Sequence, residues 1–241
     1  MLVLIDMFPF VSDSQADWQL ATAQIDIWRF RLYQDPTSLS SCLSKHEIER
    51  AKRFHFPKHQ RRFQVARATL RHILSHYLTI KPEAITFQYE PNGKPTVVSP
   101  LPLTFNLSHT GDYACLGIGL SMPLGIDVEQ FSARHYLGIG RHVFSKTEQQ
   151  QLQNIPDYLL PLAFFSLWSQ KEAVIKCIGL GMKYPLKELT LPLFSSPGEV
   201  FIDAVDNKPR KIYRFTPFIG TAAAICCHPH VTTLRFFDWG S

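Results

Sequence analysis

Long apolar runs are missing from this sequence. None approaches the roughly 18 residues that a helix needs to cross a bilayer, so no membrane span is expected. The opening MLVLIDMFPF is apolar, but it holds Asp6 and no basic leader, so no cleaved signal peptide is expected either. Cysteine is sparse and unpatterned. Cys42, Cys115, Cys177, Cys226 and Cys227 form an odd set with no CxxC pair, which speaks against a disulfide framework or structural zinc and for a reducing cytoplasm. Low-complexity tracts and short repeats are absent. GxSxG is absent too, so Ser108–His109 is not expected to work as a hydrolase nucleophile pair. The most informative absence is local: no Asp or Glu occurs between Arg50 and Lys81.

What is present is a folded globular composition: 241 residues, 45% hydrophobic and 19% charged. That length accommodates one large domain or two of roughly 100 residues. The formal charge of +5 is concentrated in the acid-free stretch, in Arg50, Lys52, Arg53, Lys58, Arg61, Arg62, Arg67, Arg71 and Lys81. A patch of one sign attracts anions: nucleic acid, a phosphorylated small molecule or an acidic protein. A solvated helix face without a partner is the plainer alternative, although ordinary surface helices mix signs.

Periodicity orders the chain. Residues 25–33 alternate like a strand. Ser44 with Glu47 forms a capping-box pattern for a helix that Pro57 interrupts. A longer helix is expected over 59–79, with Phe63, Ala66, Leu70, Ile73, Leu74 and Tyr77 on one face. Arg67 and Arg71 lie beside that face, four apart, placed to point at one ligand. Residues 91–95 (PNGKP) are turn chemistry between two strands. Short strands are expected at 103–107, 113–119 and 124–129, then helices at 145–154 and 159–178, the first capped by Ser145 with Glu148. Strand-like runs near 199–204, 210–216, 221–227 and 231–237 close the chain. The order describes an α+β protein of two similar α/β halves, 1–122 and 123–241, joined near Pro123 with a ligand cleft between them.

Three segments carry chemistry. In GIDVE (125–129), Asp127 and Glu129 leave a strand on the same face. Two carboxylates held that close repel unless a cation or shared proton relieves them, and such oxygens suit Mg²⁺. A polar edge strand with solvated acids has the same pattern. In WSQKEAVIK (168–176), Trp168, Glu172 and Lys176 form one helical stripe bordered by Lys171. Glu172 can add a third carboxylate and Lys176 can reach a phosphate oxygen, while an ordinary Glu–Lys surface pair shows the same spacing. FNLSH (105–109) ends a strand in polar groups suited to bonding phosphate. His55/His59 and His72/His76 have a metal-compatible spacing, but they lack an HExxH acid and lie in the basic stretch.

FNLSH at 105–109, GIDVE at 125–129, FSKTE at 144–148 and WSQKEAVIK at 168–176, in that order, resemble the larger single-chain class of 4'-phosphopantetheinyl transferases, which activates nonribosomal peptide and polyketide synthases. RAKRF at 50–54, Gly93-Lys94-Pro95 and residues 224–229 extend the resemblance from about 44 to 229. The resemblance implies a pseudo-dimer of two α/β halves with coenzyme A between them. It implies transfer of the phosphopantetheine arm to a serine of an apo carrier protein, with release of 3',5'-ADP. Asp127, Glu129 and Glu172 would then hold Mg²⁺ (or Mn²⁺), and Lys171 and Lys176 would contact phosphates. Arg50, Arg53, Arg62, Lys94, Pro95, Ser108 and His109 would line the nucleotide end. Glu172 would be the base, with Glu129 as the alternative, and Lys176 would stabilise the leaving group. Gln130-Phe131 stands where a polar ligand contact often follows the acids, and Glu47 where some members carry lysine.

An acidic carrier of a fatty-acid, polyketide or peptide synthase is the partner this implies, for a cytoplasmic monomer that binds neither nucleic acid nor membrane. Two competing readings remain at this stage. A metal-dependent phosphohydrolase would use the same acids on water. A nucleic-acid module would use residues 50–81 but leave the acids without purpose, and no aromatic-rich recognition signature accompanies its basic run.

Overall fold

Local signals start most of the helices. The computed structural model describes residues 8–193 and 196–240; the leader-like opening, residues 1–7, lies outside them. Ser44 caps α1 (Lys45–Lys52): its Oγ accepts the Glu47 amide, and Glu47 accepts the Ser44 amide in return. The chain then turns, and Pro57 opens α2 (Pro57–Leu78) as its first residue. It therefore starts a helix instead of interrupting one, because a first-turn position needs no N–H and suits a fixed φ. Ser145 and Glu148 repeat the capping box at α4 (Lys146–Gln153), just after α3 (Tyr136–Val143). Next comes α5 (Leu160–Ile178), closed by Gly179 in the left-handed conformation.

The strands are β1 (Val11–Ser12), β2 (Gln24–Arg31), β3 (Phe87–Tyr89), β4 (Pro95–Val97), β5 (Leu103–Thr110), β6 (Tyr113–Leu120), β7 (Gly125–Gln130), β8 (Glu199–Ile202), β9 (Pro209–Phe215), β10 (Thr221–Cys227) and β11 (Thr233–Asp238). One sheet has the order β1-β11-β2-β6-β5 and a second β7-β10-β9-β8, while β3 and β4 form a separate hairpin. The tail does not stay with the second half. β11 returns to pair in parallel with β2, Thr233 opposite Gln24 through Asp238 opposite Arg29, so a division at residue 123 cuts across the first sheet.

Period-two alternation sorts the core. Trp28 and Phe30 of β2, with Leu116 and Ile118 of β6, meet Leu70, Ile73 and Leu74 of α2. The alternate residues Ile25, Ile27 and Cys115 meet Ile126, Val128, Ala223 and Ile225 of the second sheet. Small residues on the far face of β10, Ala222, Ala224 and Cys226, pack with Ala163, Leu167 and Val174 of α5. The layers therefore run helix, sheet, sheet, helix, and this places α5 against the acid-bearing face of β7.

Candidate active site

β7 is an edge strand, and its outward amides need acceptors. Side chains of β5 supply them. Asn106 Oδ1 accepts the Ile126 amide at 2.8 Å, Ser108 Oγ the Val128 amide at 3.4 Å, and Thr110 Oγ1 the Gln130 amide at 3.2 Å. Three alternate polar residues of one strand thus stitch together the seam between the two sheets. Asp127 and Glu129, on the other parity from Ile126 and Val128, face α5.

Glycine brings that helix close. A Cβ at Gly125 would collide with the Ala173 carbonyl oxygen and the Cys177 amide nitrogen, so only glycine lets α5 lie this near β7. The consequence is a compact charged group. Lys176 Nζ stands 2.6 Å from Asp127 Oδ1 and 2.9 Å from Ser108 Oγ. The Ser108 hydroxyl also donates to Asp127 Oδ1 at 2.9 Å. Trp168 donates its indole N–H to Glu129 Oε1 at 3.0 Å, and Thr110 donates to Glu129 Oε2 at 3.3 Å. Glu172, between Trp168 and Lys176 on the same helical stripe, is half-buried. Burial, then the Asp127 charge, raises its carboxyl above the ordinary range, with Glu129 adding to the shift and Lys176 opposing it. Glu129 is raised by the same causes, burial first and Asp127 second. Three acids therefore sense one another beside one ammonium.

This group borders a cavity of about 650 Å³. One side is formed by Asn92, Gly93, Lys94, Pro95 and Asn106, and the other by Trp168, Glu172, Ile175, Lys176 and the segment to Leu186. Both halves of the chain thus line one cleft.

Comparison with known proteins shows the family. The family described as the 4'-phosphopantetheinyl transferase superfamily matches residues 123–226, and the one described as 4'-phosphopantetheinyl transferase, N-terminal, matches residues 28–118. The 4'-phosphopantetheinyl transferase HetI of Nostoc sp. is 34% identical over 181 residues, 72% of this chain and 76% of HetI. The 4'-phosphopantetheinyl transferase Sfp of Bacillus subtilis is 30% identical over 198 residues, 78% of this chain and 84% of Sfp. The chain belongs to the 4'-phosphopantetheinyl transferase family. A mammalian relative, the L-aminoadipate-semialdehyde dehydrogenase-phosphopantetheinyl transferase of Mus musculus, is 28% identical over 187 residues, 70% of this chain and 60% of that protein.

In this transferase several of the expected site residues stand elsewhere than the cleft. Lys171 is fully buried: its ammonium meets Glu148 at 2.8 Å and donates to the Leu186 and Leu189 carbonyls at 2.7 and 2.6 Å. One helical step separates it from Glu172, enough to turn it inward, so it does not reach a phosphate in the cleft. Lys94 borders the cleft, but its ammonium donates to the Leu124 and Lys176 carbonyls at 3.0 and 2.8 Å. Arg67 and Arg71 do converge on one anion, and it is Glu47 of the same chain, at 2.8 Å from each. Glu47 is thereby a buried pairing partner and does not line the cleft.

Arg62 Nε bonds Asp112 at 2.8 Å, and Arg61 shares that carboxylate at 3.1 Å. Arg53 ends α1 as its C-cap residue, and Arg50, one turn earlier, lies over the Phe63 ring at 5.4 Å. His109 keeps access to solvent, yet crowding by protein, then the charges of Lys176, Arg62 and His59, lower its pKa and favour the neutral ring. Asn106, Thr110 and the indole of Trp168 are partners of β7 that no sequence motif announces. The one signal is the run of short polar residues at 104, 106, 108 and 110, every second position of one strand.

Among the described residues, no three His, Cys, Asp or Glu side chains close on one point as a metal cage. The chemistry of the acid group nonetheless fits a divalent cation. Asp127 Oδ2 is buried with no hydrogen-bond partner, and Glu129 and Glu172 are both disfavoured in their charged forms. A hard cation with oxygen preference beside Asp127 would ease this crowding of negative charge.

Proposed function

We propose that this transferase moves the 4'-phosphopantetheine arm of coenzyme A onto a serine of an apo carrier protein and releases 3',5'-ADP, with the help of Mg²⁺ or Mn²⁺. The observation that carries this reading is the orphaned Asp127 oxygen beside two charge-disfavoured carboxylates and Lys176, at a cleft lined by both halves. Asp127, Glu129 and Glu172 would hold the ion, which when bound would supply positive charge against the phosphates of the donor.

The chain's own residues do the rest. Glu172, beside Lys176 at the cleft, would take the proton of the serine hydroxyl, directly or through a water; Glu129, held by Trp168 and Thr110, is less free to do so. The serine oxygen forms the new bond to phosphorus as the pyrophosphate P–O bond breaks. Lys176 balances charge on the departing 3',5'-ADP. The lysine lies one helical turn after Glu172 on α5 and bonds Asp127 at 2.6 Å. Arg50, Arg53, Arg62, Pro95, Ser108 and His109 would border the nucleotide end, with the arginines matched to the 3'-phosphate. Neutral His109 donates or accepts there without charge repulsion against Lys176.

A single chain lines both walls of the cleft, which supports action as a monomer. No helix among the described residues is long and apolar enough to cross a membrane. The buried free thiols accord with a reducing cytoplasm. An acidic carrier complements the +5 chain.

Mass measurement of an apo carrier incubated with the protein, coenzyme A and Mg²⁺ tests the proposal. The expected outcome is a carrier heavier by one phosphopantetheine arm. Consumed coenzyme A with an unmodified carrier would instead identify a phosphohydrolase. Salt-sensitive RNA or DNA binding without either product would identify a nucleic-acid module.

A further inference from the structure

We propose that Lys94 is a positioning residue: its ammonium latches the β3–β4 turn onto the last turn of α5 and the entrance of β7, and so fixes where Glu172 and Lys176 stand. The inference rests on the roles given to those two residues above. Three distant pieces of chain meet at this one nitrogen. Lys94 Nζ donates to the Leu124 carbonyl at 3.0 Å and to the Lys176 carbonyl at 2.8 Å. Asn92, in the same turn, donates Nδ2 to the Gly179 carbonyl at 2.8 Å.

The last carbonyls of a helix have no partner within it, and a cation at that end also meets the negative pole of the helix dipole. The turn therefore acts as the C-terminal cap of α5, supplied by the other half of the molecule. Leu124 immediately precedes Gly125, where a Cβ would collide with the α5 backbone. The latch and the close approach thus lie together, one residue from the strand position that starts GIDVE. From the same residue whose carbonyl Lys94 holds, the Lys176 side chain extends to Asp127 at 2.6 Å. Lys94 is largely desolvated, and burial lowers its pKa. With two of its three N–H groups committed to backbone, the ammonium is an anchor within the protein more than a phosphate ligand.

A loosened α5 terminus displaces catalytic groups without removing a ligand contact, so turnover should suffer while coenzyme A affinity stays. For Lys94→Met in the full chain, with coenzyme A, Mg²⁺ and an apo carrier, kcat should fall about 10- to 100-fold. The KM and Kd for coenzyme A should stay within about 2-fold of wild type. Amide hydrogen exchange over residues 175–179 should accelerate, and Lys94→Arg, which can still donate to both carbonyls, should recover part of kcat. A raised KM and Kd with kcat intact would make Lys94 a ligand contact and overturn the proposal; so would unchanged kinetics or unchanged exchange. If Lys94→Met fails to fold, Asn92→Ala removes a single bond of the same latch. That variant should lose kcat about 3-fold at constant KM, and no loss would again overturn the latch. An inactive wild-type protein would sink the transferase mechanism instead, while the exchange measurement would still decide the latch on its own.

Discussion

Two regions of this molecule carry charge of one sign, and the structure resolves them in opposite ways. The acid-free stretch from Arg50 to Lys81 reads as an anion trap, yet much of its charge is answered from within the chain. Glu47 takes Arg67 and Arg71, Asp112 takes Arg61 and Arg62, and Glu49 takes Lys52. The acids of β7 and α5 are answered only in part. Lys176 bonds one oxygen of Asp127, while the other is buried without a partner and two neighbouring carboxyls are pushed toward their neutral forms. A run of like charges in sequence does not by itself mark a site; charge that the fold leaves unbalanced is the sharper sign.

Breaking each region separates the two cases. The largest effect is expected at the unbalanced one. Asp127→Ala should lower transfer on the order of 10³-fold or more, because the oxygen that faces no partner is the one a cation would take. The protein should remain folded. Activity within about 10-fold of wild type at low Mg²⁺ would remove Asp127 from the site. At the balanced region the cost should fall on stability instead. Glu47→Gln leaves Arg67 and Arg71 buried around a neutral group, at a cost of about 3–5 kcal/mol. Urea unfolding measures that loss. The kcat/KM per folded molecule should hold within about 2-fold, since Glu47 does not line the cleft; a large kinetic loss without destabilisation would show that Glu47 and its arginines act at the site itself.

The sequence exposes what is local. Both capping boxes, Ser44 with Glu47 and Ser145 with Glu148, are visible three residues apart and both form. The alternation that puts Asp127 and Glu129 on one face, and the helical stripe through Trp168, Glu172 and Lys176, follow from periods of two and of 3.6 residues. What lies across each face is not local, and there the reading fails. The four-residue spacing makes Arg67 and Arg71 converge, but Glu47 lies 20 and 24 residues away in sequence. Lys171 borders the right stripe, yet Glu148, on another helix, draws it into the core. The tail reads as one more strand of its own half, while β11 crosses to β2. Periodicity gives each side chain a direction; only the packed fold supplies the partner.

The smallest expected effect tests the imbalance by titration. Glu129 and Glu172 have folded-state pKa values above the ordinary carboxylate. The native state then binds more protons than the unfolded chain between the unfolded value, about 4.3, and the raised ones. Their contribution to stability is therefore fully present below that unfolded value and is lost as pH rises through the raised range. In a chelator, Glu172→Gln should melt a few degrees higher than wild type at neutral pH, where about 1 kcal/mol corresponds to roughly 2–4 °C in a chain of this size. The difference should vanish toward pH 4, where both side chains are neutral. Mg²⁺ should raise the melting point of the wild-type protein at neutral pH and do little in acid, because only the ionised carboxylates attract it. A glutamine variant no more stable than wild type at neutral pH would mean that the acids are already balanced, and the contrast with the basic segment would collapse.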